Sequence, residues 1–419
     1  MNGRERQTSI YVRGIGGKRP HVPTDATRLE ARAREVMSAN AFAYVAGGAG
    51  TGATMRANRA AFDAWRIVPR MLRDVSTRDT SVELLGRRLP SPFLVAPIGV
   101  LEMAHRDAER AVARAAKRAE LPMVLSSQAS VPMEDVAALL GDSPRWFQLY
   151  WSTRDELVES FVRRAEACGC EAIAVTLDTT ILGWRTHDLD LGWLPFLRGM
   201  GIAQYTSDPA FTAMLGEGGE RTGQPEPRPS LAALGTLLAM TRRYPDRFGR
   251  TLRSGRARAA VQRFIQIYSR PSLTWEDLPF LRERTKLPIL LKGILHPDDA
   301  RRAVDEGMDG IVVSNHGGRQ VDGSIATLEA LPAVADAVAG RIPILLDSGI
   351  RSGADAFKAI ALGASAVLIG RPHVYGLALA GEAGVHEVLS NFTADFDLTM
   401  GLAGIRSASE IGPGVLVRS

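Results

Sequence analysis

Cysteine is nearly absent from this chain of 419 residues, which has only Cys168 and Cys170. Two cysteines exclude a disulfide framework. Their setting, E-A-C-G-C-E-A-I-A-V, reads as a helix end entering a buried strand, so packed, reduced thiols and a cytoplasmic location are expected. The seven histidines stand at no metal-ligand spacing. No apolar run approaches the roughly 20 residues that cross a bilayer. Lysine is scarce too: of 51 basic residues only Lys18, Lys117, Lys286, Lys292 and Lys358 are lysines. The positive charges are scattered among acids, as on a solvated arginine-rich surface or one whose field draws in small anions. No nucleic-acid module or basic-aromatic stripe occurs. Neither a Walker pattern nor a Gly-x-Gly-x-x-Gly after a strand is present, which argues against a dinucleotide held in Rossmann fashion. The opening residues, M-N-G-R-E-R-Q-T-S-I-Y-V-R-G-I-G-G-K-R-P, hold no apolar segment and are not read as a secretory signal. Residues 1–23 are expected to form an arm that packs on a neighbouring subunit.

What the chain does have is repetition. Eight short runs rich in Val, Ile and Leu recur: Phe93–Pro97, Met123–Ser126, Trp146–Tyr150, Ala172–Asp178, Pro288–Lys292, Gly310–Asn315, Pro343–Asp347 and Ala366–Arg371. Continuous apolar runs suit strands buried on both faces, as in parallel sheets. Amphipathic helical stretches lie between them, such as Asp107–Ala119, Asp155–Ala167, Asp298–Glu306 and Ala354–Ala361. The alternation predicts an α/β fold, a (β/α)8 TIM barrel spanning 24–419 as a single domain, and the count of eight favours it over an open doubly wound sheet. Helical segments Thr27–Ser38 and Asn40–Val45 precede the first strand, forming an N-terminal helical portion. The interval after the fourth strand is far longer than a crossover. An insertion at about 186–270 leaves from the catalytic face and is expected to be a lid, with Gly216–Ser230 a mobile loop.

Polar residues gather at the C-terminal tips of the strands, where barrel active sites assemble. Ser314-Asn315-His316-Gly317-Gly318-Arg319 is the sharpest signal. His316 suits a general base, or else caps a tight turn. Arg319 suits a carboxylate clamp. Asp178 is placed to orient such a histidine, or to cap a helix. Arg185 is a second carboxylate ligand or a lid salt bridge. The last two tips, with Asp347, Gly349 and Arg351 and then Gly370 and Arg371, look like a phosphate site. Lys292 ends a buried strand and needs an anionic partner. It suits either the charge that develops on a flavin or a Schiff base.

S-N-H-G-G-R, L-K-G, D-x-G-I-R and I-G-R-P in this order resemble the FMN-dependent α-hydroxy-acid oxidase and dehydrogenase family, over about Phe42 to Gly404. Within it the chain is most similar to the lactate 2-monooxygenases, through A-Y-V-A-G-G-A-G (43–50), V-P-R-M-L-R-D (68–74), A-P-I-G-V (96–100), L-P-F-L-R-G (194–199) and Y-T-S-D-P (205–209). The resemblance implies FMN as cofactor, and a small 2-hydroxy acid and dioxygen as partners. It also implies a homo-oligomer, tetramer or octamer, with no nucleic acid or membrane involved. It makes His316 the base and Asp178 its partner. Arg319, Arg185 and Tyr44 become carboxylate ligands, and Tyr150 a neighbour of the substrate hydroxyl. Ser126, Gln148, Thr176 and Lys292 become flavin-ring contacts, with Pro97, Ile98, Gly99, Ser314 and Asp347 beside them. Gly349, Arg351, Gly370 and Arg371 become the phosphate pocket. Gly99 stands where many relatives carry alanine, and is expected to leave room beside the flavin. Departures are A-H-R-D-A-E (104–109), Gln128 in place of a bulky aromatic, and His373 in place of tyrosine. Competing readings are another phosphate-binding barrel such as an aldolase, a non-catalytic relative, and a dehydrogenase serving a quinone or protein acceptor.

Overall fold

The computed structural model describes residues 2–215 and 230–419. Eight parallel strands close a barrel: β1 (Phe93–Val95), β2 (Met123–Ser126), β3 (Arg145–Tyr150), β4 (Ile173–Thr176), β5 (Ile289–Ile294), β6 (Gly310–Val313), β7 (Ile344–Leu346) and β8 (Ala366–Ile369). The ladder runs from β1 through β8 in chain order and closes where β8 pairs with β1. The TIM barrel expected from the apolar runs is thus the fold.

Each strand is buried on both faces. Phe93, Val95, Leu125, Phe147, Val175, Leu291 and Val313 point outward into the layer packed by the helices. The alternate positions Leu94, Val124, Trp146, Leu290, Val312, Leu345 and Leu368 fill the barrel interior. Side chains alternate along a strand, so stepping upward in the same parity brings Ala96, Ser126, Gln148, Thr176, Lys292, Ser314, Asp347 and Gly370 to the inside of the C-terminal rim. The interior leucines below them form the floor. That floor is sealed from beneath by an antiparallel hairpin, Val82–Leu84 with Arg87–Leu89, whose Leu84 and Leu89 join the interior cluster. The hairpin turns on Leu85 and Gly86, both at positive φ, as a two-residue turn requires.

Four helices precede the barrel: α1 (Gly3–Ile15), α2 (Ala26–Val36), α3 (Ala39–Ala46) and α4 (Ala53–Asp63). Asp25 and Ser38 cap α2 and α3 by accepting from the backbone N–H of Arg28 and Ala41. The first of these helices is anchored on the rest of its own chain. On the last helix, Arg371–Leu402 (kinked at Ala380–Gly381), Asp397 accepts from the Gly3 N–H at 2.8 Å and Asn391 accepts from Arg6 Nε at 2.9 Å.

Among the described residues, the insertion after β4 is largely helical, including Leu231–Arg243, Phe248–Ser254 and Arg256–Ile267. Most of the expected mobile loop, 216–229, lies outside the described residues, while Ser230 caps the first of these helices through the Ala233 N–H. Arg243 reaches back from the insertion to Glu102, just after β1, at 2.7 Å. Cys168 ends a helix and Cys170 is buried before β4, both as free thiols. Among the described residues, no helix is long and apolar enough to cross a membrane, and no cluster of His, Cys, Asp or Glu could hold a metal ion.

Candidate active site

A cavity of about 260 Å³ opens at the C-terminal rim. Of the site residues singled out in the sequence, all but Ser126, Asp178 and Ser314 line it directly. Those three stand behind the wall: the Ser126 hydroxyl donates to Gln148 Oε1 at 3.4 Å, Asp178 backs His316, and Ser314 Oγ accepts from Lys292 Nζ at 2.8 Å. The insertion supplies Leu194, Phe196, Phe264, Ile265 and Tyr268 to the wall. Sequence reasoning read none of these five as a site residue, since hydrophobic residues give no sign of whether they face a core or a ligand.

His316 sits at φ 57°, a left-handed conformation that a non-glycine residue adopts at some cost. The turn is held by Ser314 Oγ, which accepts from the His316 N–H, and by an amide pair in which Asn58 and Asn315 each donate to the other at 2.9 and 2.8 Å. The imidazole Nδ1 lies 2.8 Å from Asp178 Oδ1 and 3.2 Å from the Thr179 hydroxyl. Burial opposes ionisation of Asp178, but the adjacent His316 and Lys292, with hydrogen bonds from His316 and Thr179, outweigh it and hold the carboxyl below its ordinary value. Burial presses His316 below its ordinary value, against the pull of Asp178. The resting pair is therefore carboxylate and neutral imidazole. With Asp178 ionised, Nδ1 carries the proton and Nε2 is a free lone pair.

Lys292 has its required anion: Asp347 Oδ2 lies 2.9 Å from Nζ. Burial acts against the ammonium, yet Asp347 and Asp178 raise its proton affinity above the ordinary lysine value. A lysine held charged in this way is a poor nucleophile, which removes the Schiff-base reading. Asp347 Oδ1 accepts from Ser348, whose hydroxyl in turn accepts from the Gly317 N–H, tying the β7 tip to the histidine turn.

Three guanidinium groups converge. Arg319 Nη1 donates to the carbonyls of Tyr44 and Gly47, and the group stacks 4.8 Å above the Tyr44 ring. Arg185 donates to the Arg319 carbonyl and to Gln320 Oε1. Arg371 donates to the carbonyls of Val45, Gly47 and Gly317. Burial and the neighbouring Arg185 and Arg371 push Arg319 down to about 9, still cationic at neutral pH. Three clustered, largely desolvated cations bonded to neutral carbonyls leave a field that an anion would relieve.

Tyr150 is buried, and its phenol is pushed far above the ordinary tyrosine value, so it stays protonated. Gly99 lines the cavity and carries a further constraint. A Cβ there would stand 2.9 Å from the Gln128 carbonyl oxygen and 3.0 Å from Gln128 Cβ, so glycine lets the loops after β1 and β2 close on one another. His373, one of the departures, is buried away from the cavity. Its Nδ1 lies 2.8 Å from the Ile369 carbonyl, and burial lowers it to about 4.

Two residues escaped the sequence reading. Thr179 touches both members of the His316–Asp178 pair, and Gln320 donates to the carbonyls of Asp178 and Ile181 at 2.7 and 2.8 Å while accepting from Arg185. Each directly follows a residue that was read, Asp178 and Arg319. Position beside a functional residue was the one available signal.

A barrel whose rim combines an Asp–His pair, an ion-paired lysine and clustered arginines is the frame of a redox enzyme acting on organic anions. Residues 33–418 match the FMN-dependent dehydrogenase family, and the chain belongs to it. It is 43% identical over 405 residues to an FMN-dependent alpha-hydroxy acid dehydrogenase of Penicillium citrinum, covering 96% of this chain and 93% of that one. It is 42% identical to an L-lactate oxidase of Lysinibacillus sphaericus, covering 98% and 96%. Among solved structures it resembles a mandelate oxidase with (S)-4-hydroxymandelic acid, at TM-score 0.77 and 37% identity, over 95% of this chain and 99% of that one. The protein is thus an FMN-dependent oxidoreductase of α-hydroxy acids.

The rim fits that cofactor. Gln148 Oε1 accepts from Ser126, the Ser127 N–H and the Ser127 hydroxyl, which turns the amide so that Nε2 is buried without a partner. Thr176 Oγ1 is likewise buried and unpartnered among the described residues. Both residues line the cavity beside Lys292, as adjacent strands in register place them. Two free polar groups and a cation match the polar edge of a flavin.

Proposed function

We propose that this chain oxidises a small L-2-hydroxy acid, L-lactate in first place, with dioxygen as final acceptor, and that keto acid and peroxide react before leaving. The observation that supports this best is the free Nε2 of His316 in the same cavity as the Arg319 and Arg185 cations. Arg319, Arg185 and Tyr44 hold the substrate carboxylate. Tyr150 orients the hydroxyl. His316 accepts the hydroxyl proton at Nε2, and Asp178 carries the resulting imidazolium. FMN, when bound, supplies the two-electron acceptance and passes the electrons to dioxygen. Pro97, Ile98, Gly99, Gln148, Thr176, Lys292, Ser314 and Asp347 shape or charge its ring site, and Gly349, Arg351, Gly370 and Arg371 take its phosphate.

The insertion, whose aromatic residues wall the cavity, acts as a cover that sets how long products stay together. Retained, peroxide decarboxylates the keto acid: lactate and dioxygen give acetate, carbon dioxide and water, the lactate 2-monooxygenase outcome. Released, they appear as pyruvate and hydrogen peroxide, the outcome that the name L-lactate oxidase of one relative favours. Anaerobic L-lactate added to the yellow protein, followed by air and quantification of acetate, pyruvate and peroxide, separates the two. Acetate without peroxide is expected. Stoichiometric pyruvate and peroxide would establish the second. No bleaching with any 2-hydroxy acid would end both.

A further inference from the structure

Thr179 is placed to act on the proton-accepting pair. It is 4% exposed, and its hydroxyl is 3.1 Å from Asp178 Oδ1 and 3.2 Å from His316 Nδ1, which are themselves 2.8 Å apart. A hydroxyl has one proton to give, and an ionised carboxylate has none. The Tyr150 phenol is a further hydrogen-bond partner of Thr179, but the ionised Asp178 is the stronger acceptor, and that sets the filling. Thr179 O–H donates to Asp178 Oδ1, the imidazole Nδ1–H donates to the same oxygen, and a Thr179 lone pair takes a share of that Nδ1–H.

Among the described residues, Thr179 and His316 are the two side-chain donors to Asp178. The other oxygen, Oδ2, is buried without a partner among the described residues. The carboxylate is thus sparsely solvated, and whatever share of its charge Thr179 engages is not available to the imidazole.

We propose that Thr179 is a positioning residue of the reaction: its hydroxyl fixes His316 in the Nδ1–H tautomer, with Nε2 open to the substrate, and restrains Asp178 so that the imidazole is unprotonated at neutral pH. The inference rests on the reading of His316 as base. Without the Thr179 hydroxyl, Asp178 would have one donor left, the imidazole ring. It would bind the imidazolium more strongly, and His316 would be protonated at a higher pH, where it can accept nothing. The other charged groups facing His316 are Lys292 from β5 and Arg185 from the loop after β4, and both oppose its protonation. Tyr150 from β3 faces Asp178 and stays protonated. Thr179→Val leaves Lys292 and Arg185 in place and removes a hydrogen bond to the Tyr150 phenol, which stays neutral.

Histidine labelled with carbon-13 and nitrogen-15 reports the imidazole directly in the FMN-loaded protein, with the His316 signal assigned by its loss in His316→Asn. In the unaltered protein the high-pH form should show Nδ1 protonated and Nε2 bare. An Nε2–H tautomer would overturn the proposal, whatever any variant does. Thr179→Val should raise the His316 titration midpoint by about one unit, roughly tenfold in proton affinity, and carry the acidic limb of kcat/KM up with it. Thr179→Ser, which keeps the hydroxyl, should titrate near the unaltered protein. An unmoved midpoint in Thr179→Val, or an equal shift in Thr179→Ser, would overturn the proposal. If the flavin still bleaches normally in His316→Asn, the base reading fails, while the tautomer and midpoint results stand on their own.

Discussion

At the residue scale, the site works by leaving particular atoms without partners. His316 spends Nδ1 on Asp178 and keeps Nε2, and Gln148 spends Oε1 on three donors and keeps Nε2. His316→Ala should retain FMN absorbance yet lower the rate of anaerobic bleaching by lactate by about 10²–10⁴-fold. Near-normal bleaching would remove it as base. Arg319→Met should raise KM and lower kcat together, about 10–100-fold in kcat/KM, because anchoring and orientation share one group. Unchanged kinetics with lactate would undo the clamp. Lys292→Met strands Asp347 as an unpaired buried carboxylate, so a loss of about 3–5 kcal/mol is expected in thermal or denaturant unfolding. The chemistry-bearing side chains were legible because they end strands. Thr179 and Gln320 were not, since a hydroxyl or amide acquires its role from partners 137 and 142 residues away. The close approach of Gln128 to Gly99 was not legible for a related cause: Gln128 stands on another loop.

At the scale of elements, the strand runs were visible because both faces are buried, and helices such as Asp155–Ala167 match their sequence bounds. The floor hairpin was passed over although V-E-L-L-G-R-R-L alternates around Leu-Gly, because three-residue strands give little pattern to detect. The loops after β1 and β2 are joined by the buried Glu109, which accepts from the Ser130 N–H at 3.0 Å and whose carboxyl burial raises to about 7. Its affinity for a proton is higher in the folded than in the unfolded chain. Stability is therefore unaffected in acid, where both states hold the proton. It falls as pH rises through the ordinary carboxylate range toward about 7, where the folded state also ionises. Glu109→Gln should raise Tm by a few degrees at pH 8 and leave it nearly unchanged at pH 4. A gain that is equal at both pH values would show that the effect is not proton-linked.

At the scale of the whole molecule, the Arg243–Glu102 ion pair is one of those that join the insertion to the barrel outside the cavity, with Arg164–Asp208 and Arg270–Asp155. If the insertion governs product retention, Arg243→Ala should shift the products from acetate toward pyruvate and peroxide while the first oxidation keeps its rate. An unaltered product ratio would place retention elsewhere. The barrel itself was legible from the count of apolar runs. The helical character of the insertion was less so, because amphipathic helices serving as a wall carry no tip residues to mark them.

The reciprocal amides of Asn58 and Asn315 have a consequence for how the enzyme is made. The histidine turn is bolted to a segment translated 257 residues earlier. At roughly 5–20 residues per second, Asn58 leaves the ribosome on the order of tens of seconds before its mate. A nascent chain stalled short of the sixth strand therefore has its entry helices but no turn for them to brace. Cofactor capture is expected only near the close of synthesis, which makes truncated products colourless.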